Sequence, residues 1–520
     1  MYLFLAKAIL GVCFLGAGFV LFRRYAHIFQ LNGYKHPVQE RWVRDNIEQV
    51  MLRGIWALGA APLVHAQALW SRKIGPVGVY LAAVLFLVVL GLNLPRTPAK
   101  KPLVMTKRVW RLFITYVILH LLALVFLLFM PDGGGFGALL CSFCLTGAPW
   151  LLLLADTINR PVEKAIDNWY IRDAKRILGE CPDLTVIGVT GSYGKTSVKF
   201  FLEKLLSTEY NILVTPENYN TTLGVVRTIR ERLRAQHQLF VCEMGARNVG
   251  DIREICDLVH PKYGVITAIG PQHLESFGSL SNIIRTKFEL ADALPEDGIL
   301  FANLDDENIR GRKTAVPTVG YGLIRGDYRA EDLTVSPRGS SFTLKGVEFH
   351  TRLLGAHNVQ NICAAIAVAG TLGIPLEKLR MPVQQLESVP HRLQLLGGGA
   401  RTVIDDAYNS NPAGAKAALE VLSAFPGLRI LVTPGMVELG EKQESLNRDL
   451  GAQAAEKCDY AVLVGRKQAP PIRAGLLSAG FPEEKILVCD TVQEAVAAAD
   501  ALEPGRERVI LLENDLPDNY

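Results

Sequence analysis

A strand, a glycine-rich turn and a helix follow one another at residues 185–206, and this order constrains the fold more than any other segment. Gly191 and Gly194 punctuate the turn, and Lys195 and Thr196 open an amphipathic helix. A turn of this kind directs backbone N–H groups and the positive end of the helix dipole toward an anion. The lysine adds a positive charge, and the threonine hydroxyl can reach Mg²⁺. The segment therefore predicts a nucleoside-triphosphate site.

One position departs from the strict phosphate-loop pattern G-x-x-x-x-G-K-[ST], because Val189 stands where the first glycine belongs. A strand, turn and helix that contain the Gly-Lys-Thr tripeptide by chance are the alternative interpretation. The β-branched strand before the turn and the helical periodicity after it favour the nucleotide site. The residues expected to contact ATP in this loop are Thr190, Gly191, Ser192, Gly194, Lys195, Thr196 and Ser197.

The apolar residues of this 520-residue chain are concentrated near its N-terminus. Hydrophobic residues make up 49% of the chain and charged residues 20%, and the mean hydropathy is +0.21, high for a wholly soluble protein. A weaker apolar stretch at 54–70 is interrupted by Pro62, His65 and Gln67. Four further stretches are long enough to cross a bilayer as helices: residues 2–22, 75–94, 112–130 and 136–155.

The distribution of lysine and arginine predicts how these helices are oriented. The loop 96–111 contains several basic residues, among them Lys100 and Lys101, whereas the loop 131–135 contains none. Basic loops stay in the cytoplasm, so the chain after residue 155 is expected to be cytoplasmic and the protein to be a multi-pass cell-membrane protein. Five helices with an external N-terminus fit this rule better than four. No small-residue cleavage site follows residue 22, so the first stretch is predicted to be a retained anchor.

Alternating strands and helices fill the rest of the chain, which predicts an α/β fold with mostly parallel sheets. The predicted domains are a transmembrane helical region at 1–157 and an amphipathic linker at 158–182. A central phosphate-loop ATPase domain follows at 183–389, and a Rossmann-like C-terminal α/β domain at 390–520. A β-rich stretch is expected at 311–355 within the central domain.

Carboxylate, imidazole and amine side chains follow the predicted strands of the central domain. Glu243 ends a buried strand, His273 follows the next strand, and Lys287 lies on the helix after it. In a doubly wound sheet, the carboxyl end of a strand beside the phosphate loop is where a second magnesium ligand belongs. A lone histidine after a strand is more often a structural residue, so His273 carries weight only together with its neighbours. The net charge of +4, without basic tracts interleaved with aromatic residues, predicts no nucleic-acid partner.

Several motifs occur in a fixed order over residues 183–465 and together resemble the Mur ligases. Within that family they are most similar to the D-alanyl-D-alanine-adding type. The motifs are Thr190-Gly-x-x-Gly-Lys-Thr196, Asn218-x-Asn220, Glu243-Met-Gly-Ala, His273-Leu-Glu-x-Phe-Gly-Ser279, Lys287, Asn303-x-Asp305-Asp306, Leu354-Gly-x-His357-Asn358, Arg392, Asp405-Asp406-x-Tyr408-Asn409-x-Asn411 and Met436-x-Glu438.

The resemblance implies ATP-dependent formation of an amide bond through an acyl phosphate. It implies that Lys195 neutralises the phosphates, that Thr196 and Glu243 hold one Mg²⁺, and that His273 holds a second ion. It further implies that Lys287 is carbamylated and acts on that ion as a carboxylate. By the same resemblance, Asn303 and Asn358 lie toward the adenine, and Arg392 and Asp405 bring the last domain onto the nucleotide. The implied substrate-binding residues are Asn218, Asn220, Thr221, Tyr408, Asn409 and Asn411.

Two departures from the family pattern leave the substrates open. Membrane helices take the place of the soluble domain that binds UDP, and the chain lacks the closing Lys-Gly-Ser-Arg-like loop that resembles acceptor recognition. The implied acyl substrate is a UDP-linked or lipid-linked muramyl peptide, and the acceptor an amino acid or D-alanyl-D-alanine. The alternatives are extension of poly-γ-glutamate or folylpolyglutamate, amidation of a lipid-linked precursor, and a non-catalytic membrane scaffold or transporter. An amidating subunit typically carries a four-cysteine zinc ribbon, which this sequence lacks.

Overall fold

Two compact units divide the chain, one reaching Asn168 and the other covering Trp169–Leu516. A computed structural model describes residues 2–48, 50, 102–129, 140, 143–217, 219–398, 400–408 and 410–515. The described helices of the first unit are α1 (Tyr2–Leu31), α2 (His36–Asp45), α3 (Lys107–Phe129) and the first part of α4 (Ala148–Gly179). Their shared core is aromatic and aliphatic and includes Phe14, Phe22, Phe29, Tyr116 and Leu152.

Two helices of the described chain are long and apolar enough to cross a membrane, at Gly11–Leu31 and Lys107–Phe126. Length and composition alone support this, and such helices also occur as signal sequences or buried core helices. The predicted spans at 54–70 and 75–94 lie outside the described residues, and the span at 136–155 lies partly outside them. The number of spans therefore stays a prediction.

Ion pairs join α2, α3 and α4 in the first unit. Asp156 Oδ2 lies 2.6 Å from His36 Nε2, and its Oδ1 lies 3.4 Å from Arg108 Nη2. Arg111 pairs with Glu163 through two N···O contacts of 2.6 and 2.7 Å. Both carboxylates are largely buried, and buried carboxylates require such partners. Helix α4 continues without a break through residue 157, where the sequence predicted a domain boundary.

A seven-stranded parallel sheet forms the first part of the second unit, in the order β2-β3-β1-β4-β5-β6-β7. Chain order reverses direction at β1, which lies between β3 and β4. Ligands of open α/β sheets bind at such a switch point, beyond the carboxyl ends of the strands. The strands are β1 (Thr185–Thr190), β2 (Ile212–Val214), β3 (Leu239–Glu243), β4 (Tyr263–Ile266), β5 (Ile299–Asn303), β6 (Thr318–Gly322) and β7 (Tyr328–Arg329).

Helices pack on this sheet, and their apolar faces build its two cores. Apolar residues recur in these helices every three to four positions, so they lie on one face of each helix, and that face is buried. The helices are α5 (Lys195–Leu206), α6 (Thr222–Arg232), α7 (Asp251–Val259), α8 (Leu274–Phe277), α9 (Leu280–Asp292), α10 (Glu307–Arg310), α11 (Ala356–Thr371) and α12 (Arg380–Gln384). Helix α11 is rich in alanine and almost wholly buried, which allows it to pack closely.

A small antiparallel sheet occupies the predicted β-rich stretch. Its order is β10-β9-β8, from β8 (Glu331–Ser336), β9 (Gly339–Leu344) and β10 (Val347–Thr351). Phe342 and Phe349 stack across the β9–β10 pair with ring centroids 5.5 Å apart.

A six-stranded sheet follows, in the order β11-β12-β16-β13-β14-β15, parallel except for β11. The sequence did not predict β11, because it combines Gly397 and Gly398 with the exposed Leu395 and Leu396 and lacks a buried face. The α/β architecture with parallel sheets and a C-terminal domain is confirmed. The strands are β11 (Gln394–Gly398), β12 (Arg401–Asp406), β13 (Leu428–Thr433), β14 (Tyr460–Val464), β15 (Ile486–Cys489) and β16 (Arg508–Glu513). The helices are α13 (Pro412–Ser423), α14 (Gln443–Ala454), α15 (Ala469–Ser478) and α16 (Val492–Ala501).

Candidate functional site

The glycine turn between β1 and α5 has the tight geometry that its sequence predicts. Gly194 caps α5 with a φ of 79°, a left-handed conformation that favours glycine. A Cβ on Gly191 would lie 2.0 Å from Thr267 Oγ1. Ser192 Oγ donates to Gly270 O at 3.0 Å, which ties the turn to the loop after β4. The turn is therefore fixed at the switch point of the sheet with its helix N-terminus open to an anion.

Gly191→Ala is expected to weaken binding of a non-hydrolysable ATP analogue by about tenfold or more, since the new methyl group must displace Thr267 or the loop. Calorimetric titration of the detergent-purified chain measures the change. Gly311→Ala is the matched control, because its Cβ meets nothing within 4 Å. Equal affinity of both variants would argue against a nucleotide in this turn.

Lys195 stands at the first position of α5 and turns back over the loop. Its Nζ donates to Gly191 O at 2.6 Å and to Ser192 O at 3.0 Å. Burial lowers the pKa of Lys195 to about 8. The nearby Glu243 carboxylate partly offsets this shift, and the charge of Arg392 adds to it. An ammonium held among carbonyl groups in this way can exchange those partners for phosphate oxygens at little cost.

Glu243 ends β3 beside the turn and is almost fully buried. Its Oε1 accepts from Thr196 Oγ1 at 3.2 Å and from Asn220 Nδ2 at 3.0 Å. Its Oε2 lies 3.0 Å from the ammonium of Lys199. Burial alone would raise the pKa of Glu243, but Lys199, Lys195 and the amide of Asn220 outweigh it, and the net shift is downward. The carboxylate is thus held ionised next to the threonine hydroxyl.

The oxygen atoms of Thr196 and Glu243 fit one Mg²⁺. Magnesium prefers hard oxygen ligands and is commonly held by one or two protein groups together with substrate phosphates. In the described ranges, no group of three or more His, Cys, Asp or Glu side chains could hold a metal by itself. A site completed by nucleotide phosphates matches this sparse donor set.

Lys287 lies on α9 and is 3% exposed. Burial and the charge of Lys195 lower the pKa of its amine well below the usual range. Nζ forms no hydrogen bond or ion pair within the described part of the chain, and the charges of Asp251, Glu289 and Glu243 only partly oppose the lowering of its pKa. A lowered pKa favours the neutral amine, which is a poor ligand for Mg²⁺ because that ion prefers oxygen donors. The neutral amine is the form that reacts with CO₂, and the carbamate would supply the oxygen donors that fit a second ion.

His273 joins the central domain to the C-terminal domain, because its Nδ1 bonds to a carboxylate oxygen of Glu438. Burial lowers the pKa of His273, against the opposing effect of Glu438. Nε2 makes no hydrogen bond within the described chain and is the nitrogen that can serve as a ligand. Both residues have positive φ, 52° and 62°, and such strain in non-glycine residues concentrates at functional sites.

The sequence motif that contains Glu438 did not predict its hydrogen bond with His273. Arg247 Nη1 also lies 3.6 Å from Glu438 Oε1. The turn that carries Glu438 is fixed by the fully buried Asn447, which accepts from Met436 N at 2.8 Å and donates to Met436 O at 2.9 Å. The positive φ of Glu438 has no sequence signal, so its contact could not be inferred from spacing.

The residues predicted for the adenine side are buried and close to one another. Asn303 Oδ1 accepts from Gln360 Nε2 at 3.1 Å, and the same amide lies 3.0 Å from Asp305 Oδ2. Asn358 Nδ2 donates to Leu354 O at 2.9 Å. Because Gln360 and Asn358 share the first turns of α11, this network links the end of β5 to that helix. A role toward the adenine stays a prediction.

The C-terminal domain presents Arg392 in a turn before β11. The guanidinium lies over the Tyr408 ring at 4.5 Å from its centroid, and its charge reaches Lys195. His391 and Leu393 have φ values of 59° and 45°, which marks a strained turn on both sides of the arginine. Asp405 is buried and accepts from the His391 ring at 2.8 Å. Arg392 therefore lies near the phosphate loop, and Asp405 bonds to the residue before it; contact of either with a nucleotide stays a prediction.

Thr221 and Asn411 cap helices. Thr221 Oγ1 accepts from Gly224 N at the start of α6, and Asn411 Oδ1 accepts from Gly414 N at the start of α13. Asn220 binds Glu243, as described above. Asn218 and Asn409 lie outside the described residues. Contact of these side chains with a substrate therefore stays a prediction.

A pair of carboxyl groups, the half-buried Asp406 and the fully buried Glu513, lies near Arg392 at the carboxyl ends of β12 and β16. Asp406 and Glu513 are direct neighbours in the strand register, and Ser410 Oγ donates to Glu513 Oε1 at 2.5 Å. Burial raises the pKa of Asp406 to about 6 and, together with Asp406, raises that of Glu513 well above its usual range. The pair therefore retains a proton at pH values where ordinary carboxyl groups have lost theirs.

This pair is expected to make stability fall as pH rises. Between 3.8, the ordinary pKa of Asp, and about 6, the folded chain keeps a proton that the unfolded chain releases. Glu513→Gln should flatten this dependence and raise the melting temperature at pH 8 by about 2 °C. Thermal unfolding from pH 5 to pH 8 measures it, with the exposed Glu507→Gln as control. If the melting temperatures of the wild type and of Glu513→Gln changed equally with pH, the conclusion that the two carboxyl groups share a proton would be wrong.

Two family models match the second unit. The Mur ligase middle domain matches residues 189–369, and the Mur ligase glutamate ligase domain matches residues 391–512. The chain is 34% identical over 288 residues to the UDP-N-acetylmuramoyl-tripeptide–D-alanyl-D-alanine ligase of Bacillus subtilis, covering 54% of this chain and 63% of that protein. It is 30% identical over 351 residues to the Escherichia coli protein of the same name, covering 64% of this chain and 77% of the other.

Solved structures give the same result. MurF from Acinetobacter baumannii superposes with a TM-score of 0.62 at 29% identity, covering 67% of this chain and 77% of that one. MurF ligase from Thermotoga maritima, solved in complex with ADP, gives 0.60 at 26% identity, covering 67% and 80%. The chain thus spans under two thirds of the Bacillus protein and about three quarters of the others. On the matched domains, the motif order and the phosphate-loop geometry, this chain belongs to the Mur ligase family.

Proposed function

We propose that this chain is a membrane-anchored, ATP-dependent, ADP-forming amide ligase of peptidoglycan precursor synthesis. It activates a carboxylate as an acyl phosphate and joins it to the amine of an amino acid or of D-alanyl-D-alanine. The observation that carries the proposal is the convergence of Lys195, the Thr196–Glu243 pair and Arg392 on one edge of the sheet. That set supplies the charges that phosphoryl transfer needs, and it occurs in a chain of this family.

In the first step, a carboxylate oxygen of the acyl substrate attacks the γ-phosphorus of ATP, and ADP departs with the electrons of the bridging bond. Lys195 and Arg392 place positive charge around the phosphates, which lowers the barrier by preorganised electrostatics. In the second step, the amine attacks the acyl carbon, loses a proton, and phosphate leaves from the tetrahedral intermediate. His273 and Arg392 both lie near enough to Lys195 to interact with its charge, so both side chains are close to this region.

When bound, Mg²⁺ supplies charge neutralisation for the nucleotide phosphates. Thr196 and Glu243 would hold one ion, and His273 with a carbamylated Lys287 would hold a second. The lowered pKa of the buried Lys287 amine supports the carbamate, because formation of the new N–C bond to CO₂ requires an unprotonated nitrogen and releases one proton. Protein-bound Mg²⁺ would not tolerate an ammonium at that position.

The first unit would anchor the enzyme, with the catalytic domains in the cytoplasm. Helix α3 supports this, because Ile114, Ile118, Leu122 and Val125 are each about half exposed and recur at helical spacing on one face. Alkaline extraction of cell membranes would test the anchor, since an integral protein stays in the pellet. Recovery of the chain in the soluble fraction would contradict it.

The carrier of the acyl substrate is the open part of the proposal. The named relatives are UDP-N-acetylmuramoyl-tripeptide ligases, which supports a muramyl peptide. The predicted membrane helices before the matched domains would support presentation on a lipid at the cytoplasmic face. A Mur-like ligase that extends another polymer, of the poly-γ-glutamate or folylpolyglutamate type, is the alternative.

Phosphate release by the detergent-purified full-length chain with Mg-ATP tests the proposal. Muramyl tripeptide is offered as the UDP-linked or the lipid-linked form with D-alanyl-D-alanine and then with single amino acids, and products are identified by mass. Turnover with the UDP-linked form would indicate that the helices only anchor the enzyme at the membrane. Turnover with the lipid-linked form alone would indicate that they form part of the substrate site. If neither form gives phosphate release or product, the assignment to peptidoglycan synthesis would be wrong, and extension of another polymer would be favoured.

A further inference from the structure

Lys199 is a fully buried lysine one helical turn after Lys195 on α5. Its Nζ lies 3.0 Å from Glu243 Oε2. A buried ammonium is costly unless it is paired and hydrogen-bonded. The pairing with Glu243 satisfies this requirement, but it also occupies the one carboxylate oxygen that faces away from Thr196. Glu243 is thus held from both sides, at Oε1 by Thr196 and Asn220 and at Oε2 by Lys199.

The same ammonium holds a second group. Nζ donates to the backbone carbonyl of Glu217 at 2.6 Å. Glu217 has a φ of 42°, a left-handed conformation that is unfavourable for a residue with a long side chain. It belongs to the connection between β2 and α6, which also carries Asn220, whose backbone carbonyl accepts from Gly245 N at 2.7 Å. One buried charge therefore fixes both the carboxylate and the loop beside it.

We propose that Lys199 is a positioning residue that couples the loop at 215–221 to the magnesium-binding carboxylate Glu243. Lys199 does not touch the nucleotide or the reacting atoms in this scheme. It sets the orientation of Glu243 and the conformation of Glu217 together, so that a change in the loop is transmitted to the metal ligand. The inference rests on the proposed function only through the assignment of Glu243 as a magnesium ligand.

Lys199→Met tests the coupling, because methionine fills the same volume without a charge or donor. Calorimetry measures binding of a non-hydrolysable ATP analogue to the full-length chain as Mg²⁺ is varied. Loss of Lys199 frees Glu243 Oε2 and is expected to raise the half-saturating Mg²⁺ concentration by about fivefold or more. Amide hydrogen exchange of peptides covering 215–221 is expected to accelerate by about tenfold, since the Glu217 carbonyl loses its partner.

Lys204→Met is the matched control, because Lys204 lies on the same helix and is exposed. It should leave both readouts as in the wild type. If Lys199→Met does not fold, Lys199→Gln carries the test, because its amide keeps a donor but is one bond too short to reach both oxygens. A folded Lys199 variant with a lowered melting temperature, unchanged Mg²⁺ dependence and unchanged exchange would overturn the proposal and leave only a structural ion pair.

The outcomes separate this inference from the proposed function. Wild-type chain that binds the analogue with Mg²⁺ but forms no amide product would overturn the substrates proposed above and leave the Lys199 test intact. Wild-type chain that binds no analogue would overturn both.

Discussion

Lys195→Ala is expected to reduce ATP turnover by about a thousandfold or more, while the chain remains folded. The loss is large because phosphoryl transfer depends on positioned charge, and Lys195 is the lysine of the predicted phosphate loop, directly before Thr196, whose hydroxyl bonds to Glu243. Folding should persist, since among the described residues its ammonium bonds only to the carbonyl groups of Gly191 and Ser192. Phosphate release and thermal unfolding of the detergent-purified protein measure the two effects.

Lys204→Ala is the control for this experiment. Lys204 lies on the same helix and is exposed, so its removal changes the net charge equally without entering the site. Turnover at the wild-type rate in Lys195→Ala would remove the phosphate-loop assignment. A loss of melting temperature matching the loss of activity would assign Lys195 a structural role instead.

Lys287→Ala is expected to lower ligase turnover by about a hundredfold or more. If a carbamate acts at this position, short-chain carboxylic acids should restore part of the activity, because their carboxylate can enter the space left by the side chain. Lys287 is 3% exposed, so the space that the variant leaves for the acid is largely surrounded by protein. Turnover is measured across increasing acetate and formate concentration.

Arg285→Ala, on the exposed face of the same helix, should show neither the loss nor the rescue. Wild-type protein should also lose activity on exhaustive removal of CO₂ and regain it with bicarbonate. A Lys287→Ala variant that stays inactive at every acid concentration, together with wild-type activity independent of CO₂, would leave a structural lysine as the explanation.

The sequence allowed the central sheet to be predicted because its strands are buried on both faces and read as continuous apolar runs between helical segments. It also placed Thr196 and Glu243 together, since the carboxyl ends of neighbouring parallel strands meet at one edge. Strand β11 was not predicted, because it is exposed and ends in two glycines, so it lacks the alternation of a half-buried strand; the glycine-rich connection to the antiparallel β12 was the one local signal of a hairpin.

Long-range polar pairs were missed for a different reason. Lys199 stood in a helix whose apolar positions were evident, but its partners Glu243 and Glu217 are distant in sequence, and helical spacing says nothing about them. The one available signal was the lysine on an otherwise apolar stretch of α5, which requires a buried counter-charge. Glu438 gave even less signal, because its contact with His273 depends on a left-handed backbone conformation and on the packing of Asn447.

The His273–Glu438 bond has a kinetic consequence. It joins residues from two different sheets, so the arrangement proposed to surround the nucleotide exists only while the two domains are in contact. If the nucleotide binds between them as proposed, we expect ADP to leave after this bond breaks and a new ATP to be held after it forms again. We therefore expect each catalytic cycle to contain one opening and one closing event, and domain separation, rather than bond chemistry, to limit the turnover rate.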